Sequence, residues 1–437
     1  MLELLVILIL VAITLFIRIE KGITMFMIIL PFHAFIKNFF TFFMNGGGIF
    51  ANWKELVLLV ILGKIILSSS RIVLNKNLLV LYFLFLINVL FFFFFTQNKS
   101  NALNPLRNHL FFIITFIIFS NIKLDYIKLR KFVIYASVSY FIGYIFGFIQ
   151  LFIFKIPLGF YMGRIESISA DGYIWYTTTS ARILGFERMA GVIGGPNDFG
   201  LFVAVTLLFS IVARYTDLGY RKGKMYKLLF NIINSVGIVA LAYSLSRAAW
   251  AIFIGGLIMF VITKKVKIKI SFLLGFMIMS TIGLFMLAQS EIITKVYSKT
   301  ISGDEASSAD RLNDVNSGFT EIFNRPWGNG LGTTNNQNPD VIQFFAESAT
   351  INMIYEIGFI GYFLLVLIYL VISIKSYFKR DKLYFARLSL ALVCVTFAAS
   401  FFSVNTQGMP YIILSWAFIG LGVNPYLEMN EKVNIIE

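Results

Sequence analysis

Residues 78–95 read LLVLYFLFLINVLFFFFF, an apolar stretch in which Asn88 is the lone strongly polar residue. A helix of this composition has no polar face to offer water, and at 1.5 Å per residue it spans about 27 Å, close to the hydrocarbon thickness of a bilayer. Lipid is therefore its solvent. The rest of the chain repeats that reading: of 437 residues, 58% are hydrophobic, 14% are charged and 49 are Phe, with a mean hydropathy of +0.82. A soluble domain carries about 25% charged residues, so a water-soluble globule is excluded.

Outward from that stretch, the scan gives thirteen candidate spans: 2–17, 23–36, 55–67, 78–95, 108–120, 132–154, 196–213, 228–245, 248–263, 270–288, 350–374, 384–403 and 409–423. The expected fold class is an all-α integral membrane protein, polytopic, with about 12–14 transmembrane helices forming one domain over 1–437. Glu3 stands where a secretory leader would be basic and no small-residue cleavage site follows, so 2–17 is expected as a retained span.

The net charge of +15 is not spread evenly. Every second loop is basic: Arg18 and Lys21; Arg71 and Lys76; Lys123, Lys128, Arg130 and Lys131; Arg214 to Lys227; Lys264 to Lys269; and Lys375 to Arg387. Basic loops stay in the cytoplasm, so the charge reads as membrane topology and headgroup anchoring, with no nucleic-acid partner. The remaining loops are then external, and two are long, 155–195 and 289–349. The second carries four basic residues against eight acidic ones and is rich in Gly and aromatics, which suits a binding platform. Within it, Ser307 and Asp310 begin a capping pattern, and Leu312, Val315, Phe319, Ile322 and Phe323 recur at helical spacing. An amphipathic helix over about 308–324, ended by Pro326, follows.

Four constellations could carry chemistry. Arg188-Met189-Ala190-Gly191 leads through Gly194-Gly195-Pro196-Asn197-Asp198 into a span, placing a helix amino end outward where phosphate binds well. A plain Gly/Pro turn beside a solvated Arg would look the same. Ser246-Arg247-Ala248-Ala249-Trp250 is the polar point between two spans, and a lone external Arg there runs against the basic-inside bias. Arg311 falls in the first turn of the amphipathic helix, where a cation opposes the dipole, and Arg325-Pro326-Trp327-Gly328-Asn329-Gly330-Leu331-Gly332 suits a loop closing over a ligand. Glu347-Ser348 stands at the mouth of the next span with Glu356 deeper; Glu347 could be a general base, while Glu356 reads as a structural partner for a buried Arg. His33, after Pro31, and His109 read as a kink contact or an interface position. Two distant His and the single Cys394 assemble no metal site, and with no Walker loop and no Asp-x-Asp pair, neither a cofactor nor a metal is expected.

On these residues, over about 185–365, the chain resembles the O-antigen ligase and Wzy-type O-antigen or capsule polymerase superfamily. The resemblance implies a GT-C-like glycosyltransferase of the bacterial cytoplasmic (inner) membrane, multi-pass and active at its external, periplasmic face, acting on oligosaccharides linked to undecaprenyl pyrophosphate. It implies catalytic roles for Arg247, Arg311 and Glu347, and substrate or pyrophosphate contacts for Arg188, Asn197, Asp198, Ser246, Arg325 and Gly330. The ligases place a functional His near the position held here by Glu347 and Ser348, and no His follows His109, so polymerase is preferred over ligase. A lipid-linked oligosaccharide flippase or transporter is the rival class, disfavoured because no second copy of the spans is visible. Membrane lipids, and the pathway's flippase and chain-length regulator, are the expected partners.

Sidedness can be checked directly. In a Cys394→Ala background, cysteines placed beside Lys222 or Lys379 should be shielded from an impermeant thiol reagent in intact cells, and ones beside Gly172 or Thr333 labelled. The reverse pattern would put the candidate residues in the cytoplasm.

Overall fold

The computed structural model describes residues 2–44, 49–68, 76–154, 165–168, 174–176, 182–183, 186–193, 195–215, 224–263, 318, 320–334, 344, 346, 348–381 and 383–427. Within them the chain is helical: α1 (Leu2–Phe16), α2 (Ile19–Ile29), α3 (His33–Met44), α4 (Trp53–Ser68), α5 (Lys76–Phe95), α6 (Lys99–Asn121) and α7 (Tyr126–Phe148) come first. After the 155–195 segment come α8 (Pro196–Tyr215), α9 (Lys224–Ser244), α10 (Arg247–Ile262), α11 (Ala349–Lys379), α12 (Tyr384–Ser400) and α13 (Tyr411–Val423). Helices coincide with twelve of the stretches expected from sequence, and the other, 270–288, lies outside the described residues. Among the described residues, seven helices are long and apolar enough to cross a membrane, one of them running through α2, a turn at Leu30–Phe32 and α3. The protein is a polytopic helical membrane protein. Two small antiparallel pairs add to the expected all-α picture within 155–195: β1 (Ile165–Ile168) with β2 (Ile174–Tyr176), and β3 (Arg182–Ile183) with β4 (Phe186–Glu187).

The bundle has two chemically distinct ends. At one, Lys128 Nζ meets Glu20 Oε1 at 3.0 Å, joining the starts of α7 and α2, and Lys64 of α4 donates to the Thr14 and Leu15 carbonyls closing α1. The same end gathers α6, α11 and α13, where Asn424 donates to the Phe119 and Ile122 carbonyls and Lys379 to Val423. These are the ends that carry the basic loops. At the other end Glu3 accepts from the Phe50 amide, Thr96 donates to the Leu331 carbonyl, and Ser348 donates to the Ser400 carbonyl. Between the two ends, α8 is buried almost all round, which explains why its apolar residues show no face. His33 sits beyond Pro31 as the expected kink contact, accepting from Trp53 Nε1 at 3.0 Å, while His109 is buried edge-on to Phe85.

α11 is not continuous. Gly358 leaves the helical region at φ 70°, ψ 173°, and the carbonyls of Tyr355 and Glu356 accept instead from the amides of Asn329 and Gly330. Phe359 donates to the Pro326 carbonyl from the other side of the break. The Glu356 carboxylate completes this clasp, taking the Gly332 amide at 3.0 Å, the Thr334 amide at 3.3 Å and the Thr334 hydroxyl at 2.7 Å. The expectation that Glu356 pairs with a buried Arg is corrected here: its partners are amides and a hydroxyl, because a helix broken in an apolar setting brings unpaired donors to it. The end of the preceding helix rests on α11 as well, with Ile322 buried against Ile351, Ile354 and Tyr355 and Phe323 left exposed. Residues 308–317 of that expected helix lie outside the described residues.

An alanine at 358 would have to hold a left-handed backbone and would drive its side chain into the Trp327 carbonyl. Gly358→Ala should therefore cost about 1–3 kcal/mol of stability, measured as a lower thermal midpoint in detergent. An unchanged midpoint would mean the break is not strained.

Candidate active site

At the end away from the basic loops, a buried arginine organises the polar residues. Arg188 is 6% exposed, and its Nε donates to the Ser244 carbonyl at 2.9 Å. Its Nη2 donates to Asn197 Oδ1 at 2.6 Å and to the Leu245 carbonyl at 3.4 Å. These carbonyls close α9, where a helix leaves its last C=O groups without intrahelical donors. Leu245 takes a φ of 50°, an uncommon conformation for a branched apolar residue, and that turn points both carbonyls at the guanidinium.

The turn then starts α10. Ser246, 1% exposed, is its N-cap, its side chain accepting from the Ala249 amide. Arg247 occupies the first helical position and is exposed. A cation there opposes the helix dipole, so its placement makes electrostatic sense with an anion at the same spot. Arg188, Asn197, Ser246 and Arg247 are thus brought to one turn from three places in the sequence, the first three making structural contacts and Arg247 standing exposed at the helix start.

Gln150 supports this arrangement and escaped the sequence reading. It is 1% exposed, on the wider helical turn of 149–154 that ends α7, and its Oε1 accepts the Ala190 and Gly191 amides at 2.9 Å each. The signal was a lone amide inside an apolar span. Asp198, on the first turn of α8, has no hydrogen-bond or ion-pair partner among the described residues. Across from it stands a turn the sequence reading did not single out, Val404–Gln407 followed by Gly408, which Gln407 fastens to the start of α11 by donating to the Ala349 carbonyl at 3.4 Å.

The other expected residues fall differently. Gly330 is buried against Thr96 and donates its amide to the Glu356 carbonyl, so it seats the 325–334 segment on the protein's own backbone. Arg325 is exposed and donates to Asn329 Oδ1 at 3.1 Å. Arg311 and Glu347 lie outside the described residues, although Ser348, next to Glu347, caps α11 by accepting from the Ile351 amide.

Residues 232–366 match the family described as O-antigen ligase. The matched stretch runs from α9 through the broken part of α11, and so contains the Ser246–Arg247 turn, Arg311, the Arg325–Gly332 segment and Glu347. It agrees with the resemblance to the ligase and Wzy-type superfamily drawn from the same residues. Arg188, Asn197 and Asp198 precede the matched stretch and are joined to it by the contacts of the Arg188 guanidinium. Comparison with curated proteins and with solved structures gave no match.

The two arginines should separate by stability. Arg188→Lys cannot reach three acceptors with one ammonium and should cost about 1–3 kcal/mol, read as a lower midpoint in detergent. Arg247→Lys, at an exposed position, should stay within about 0.5 kcal/mol of wild type. Equal losses would show that Arg247 is as structural as Arg188.

Proposed function

We propose that the protein is a bacterial surface-polysaccharide polymerase that couples oligosaccharide repeat units carried on undecaprenyl pyrophosphate, at the outer face of the cytoplasmic membrane and without a metal. The observation that carries this reading is the Arg188 clamp, which holds the Ser246–Arg247 turn so that an exposed guanidinium stands at a helix amino end, inside the stretch that matches the O-antigen ligases. The lack of any His after His109 supports polymerase over ligase.

The chemistry is a single displacement. An acceptor hydroxyl oxygen attacks the anomeric carbon, the bond from that carbon to the diphosphate oxygen breaks, and its electron pair leaves with the lipid diphosphate. A diphosphate is already a good leaving group, so the protein has two tasks: to stabilise charge growing on it, and to orient the acceptor. Arginine suits the first, since its planar fork grips two phosphate oxygens and stays charged in apolar surroundings. Arg247 and Arg311 take that role, with Arg325 on the neighbouring segment, and Arg188 contributes by fixing the turn as well as its own charge. A carboxylate accepts the acceptor proton, for which Glu347 and Asp198 are the candidates. Inversion at the anomeric carbon follows.

Deleting the gene and complementing it tests the reading. The deletion should leave single repeat units and no long chains; long polymer that stays on its carrier would indicate a ligase, and repeat units held on the cytoplasmic face a flippase. Arg247→Ala should fail to restore polymer at normal membrane abundance, a loss of roughly a hundredfold or more. Arg247→Lys should recover little, since it lacks the fork; full recovery would reduce Arg247 to an interfacial anchor.

A further inference from the structure

We propose that Lys54 is held in the folded protein as a neutral amine, and that its contact with His33 is a proton-sensitive catch between the start of α4 and the start of α3. This stands apart from the polymerase reading.

Lys54 directly precedes the 55–67 stretch, at the end of the bundle away from the basic loops. It is 3% exposed, so its amine has only the protein to bond with. Among the described residues three atoms surround its Nζ: the Ala51 carbonyl at 2.7 Å, Glu55 Oε1 at 3.2 Å and His33 Nε2 at 3.3 Å. The first two accept. What the third does is decided by Trp53, whose Nε1 lies 3.0 Å from His33 Nδ1. An indole N–H can only donate, so Nδ1 carries no hydrogen, and a neutral ring then has its proton on Nε2, facing Lys54. An ammonium has three hydrogens and no lone pair, so a charged Lys54 would set donor against donor. Moving the ring proton to Nδ1 only shifts that conflict to Trp53, and a doubly protonated ring meets it at both contacts. A neutral amine resolves it, with two hydrogens for the Ala51 carbonyl and Glu55 and one lone pair for the His33 Nε2–H.

The charges around the amine agree. Arg107 of α6 pairs with the same Glu55 Oε1, so that carboxylate already has its cation. Lys37 of α3 and Arg107 oppose a positive charge on Lys54, Glu55 favours one, and Glu3 of α1 is turned to the Phe50 amide. Taking an ammonium out of water without an anion of its own is costly. When a proton arrives, Lys54 gains a hydrogen where His33 requires a lone pair, and the contact between the two helix starts becomes repulsive. The end of the bundle that carries the candidate site thus holds a junction that is closed in one protonation state and opened in the other.

The test uses the full-length protein in detergent, isotope-labelled at the lysine ε carbons, whose NMR shift reports whether each amine is charged. The signal absent from Lys54→Gln protein should titrate about two units or more below the ordinary lysine value of about 10.4. Trp53→Phe removes the fixed donor, frees His33 to accept from an ammonium, and should bring that midpoint back up. A Lys54 signal that titrates with the other lysines overturns the proposal, as does a midpoint that Trp53→Phe leaves in place. Thermal stability gives an independent readout. Lys54→Gln supplies two donors and one acceptor without a charge and should melt no lower than wild type at neutral pH, whereas Lys54→Arg, charged and without a lone pair, should melt several degrees lower; the reverse order would overturn the proposal. The unfolded chain carries the ordinary ammonium and the folded one the neutral amine, so unfolding takes up a proton, and wild type should gain on Lys54→Gln as the pH rises towards about 10.4. A gap that stays constant with pH would overturn it too.

Discussion

In hydrocarbon there is no water to satisfy a freed peptide group, so every departure from the helix must be closed by the protein itself. Two departures meet that requirement at the same end of this bundle, one closed by a donor and the other by an acceptor. Where α9 stops, its unpaired carbonyls are taken by a cation, Arg188. Where α11 breaks, loose amides of the 325–334 segment are taken by the Glu356 side chain and by the carbonyls that the break releases. The candidate site lies on the structure these two closures hold, and each closing group had to be ionised or strongly polar for the geometry to exist.

The spans were legible because the signal is additive: many long, mostly apolar stretches in one chain call for lipid as solvent, and boundaries follow from where Lys and Arg resume. The Arg188 and Ser246–Arg247 motifs were legible too, since charge inside apolar sequence stands out. What could not be read was the partner of each polar group. Glu356 looked like the mate of an arginine because a buried carboxylate usually has one, yet the donor was backbone, which carries no letter in the sequence. Gln150 and Gly408 were missed for a related reason, as their significance comes from segments forty and two hundred residues away.

The separation of the ends also bears on the chemistry. Among the described residues, Lys128 and Lys379 make their contacts at one end, while Arg188 is individually held at the other. On the function proposed above, an anionic lipid diphosphate would meet individually placed guanidinium groups such as those of Arg188 and Arg247.

The clasp at Gly358 has a consequence for how the chain between Thr334 and Ser348 can vary. Thr334 is tied to Glu356 and Ser348 begins the same helix, so these two positions are fastened within about two turns of one another along α11. A segment whose two ends are anchored on one rigid element can lengthen cheaply, since closure costs only about 0.6 kcal/mol more for each doubling of length. Stretches of this kind can be rewritten by insertion or deletion without shifting a single span, which leaves one scaffold free to present different surfaces.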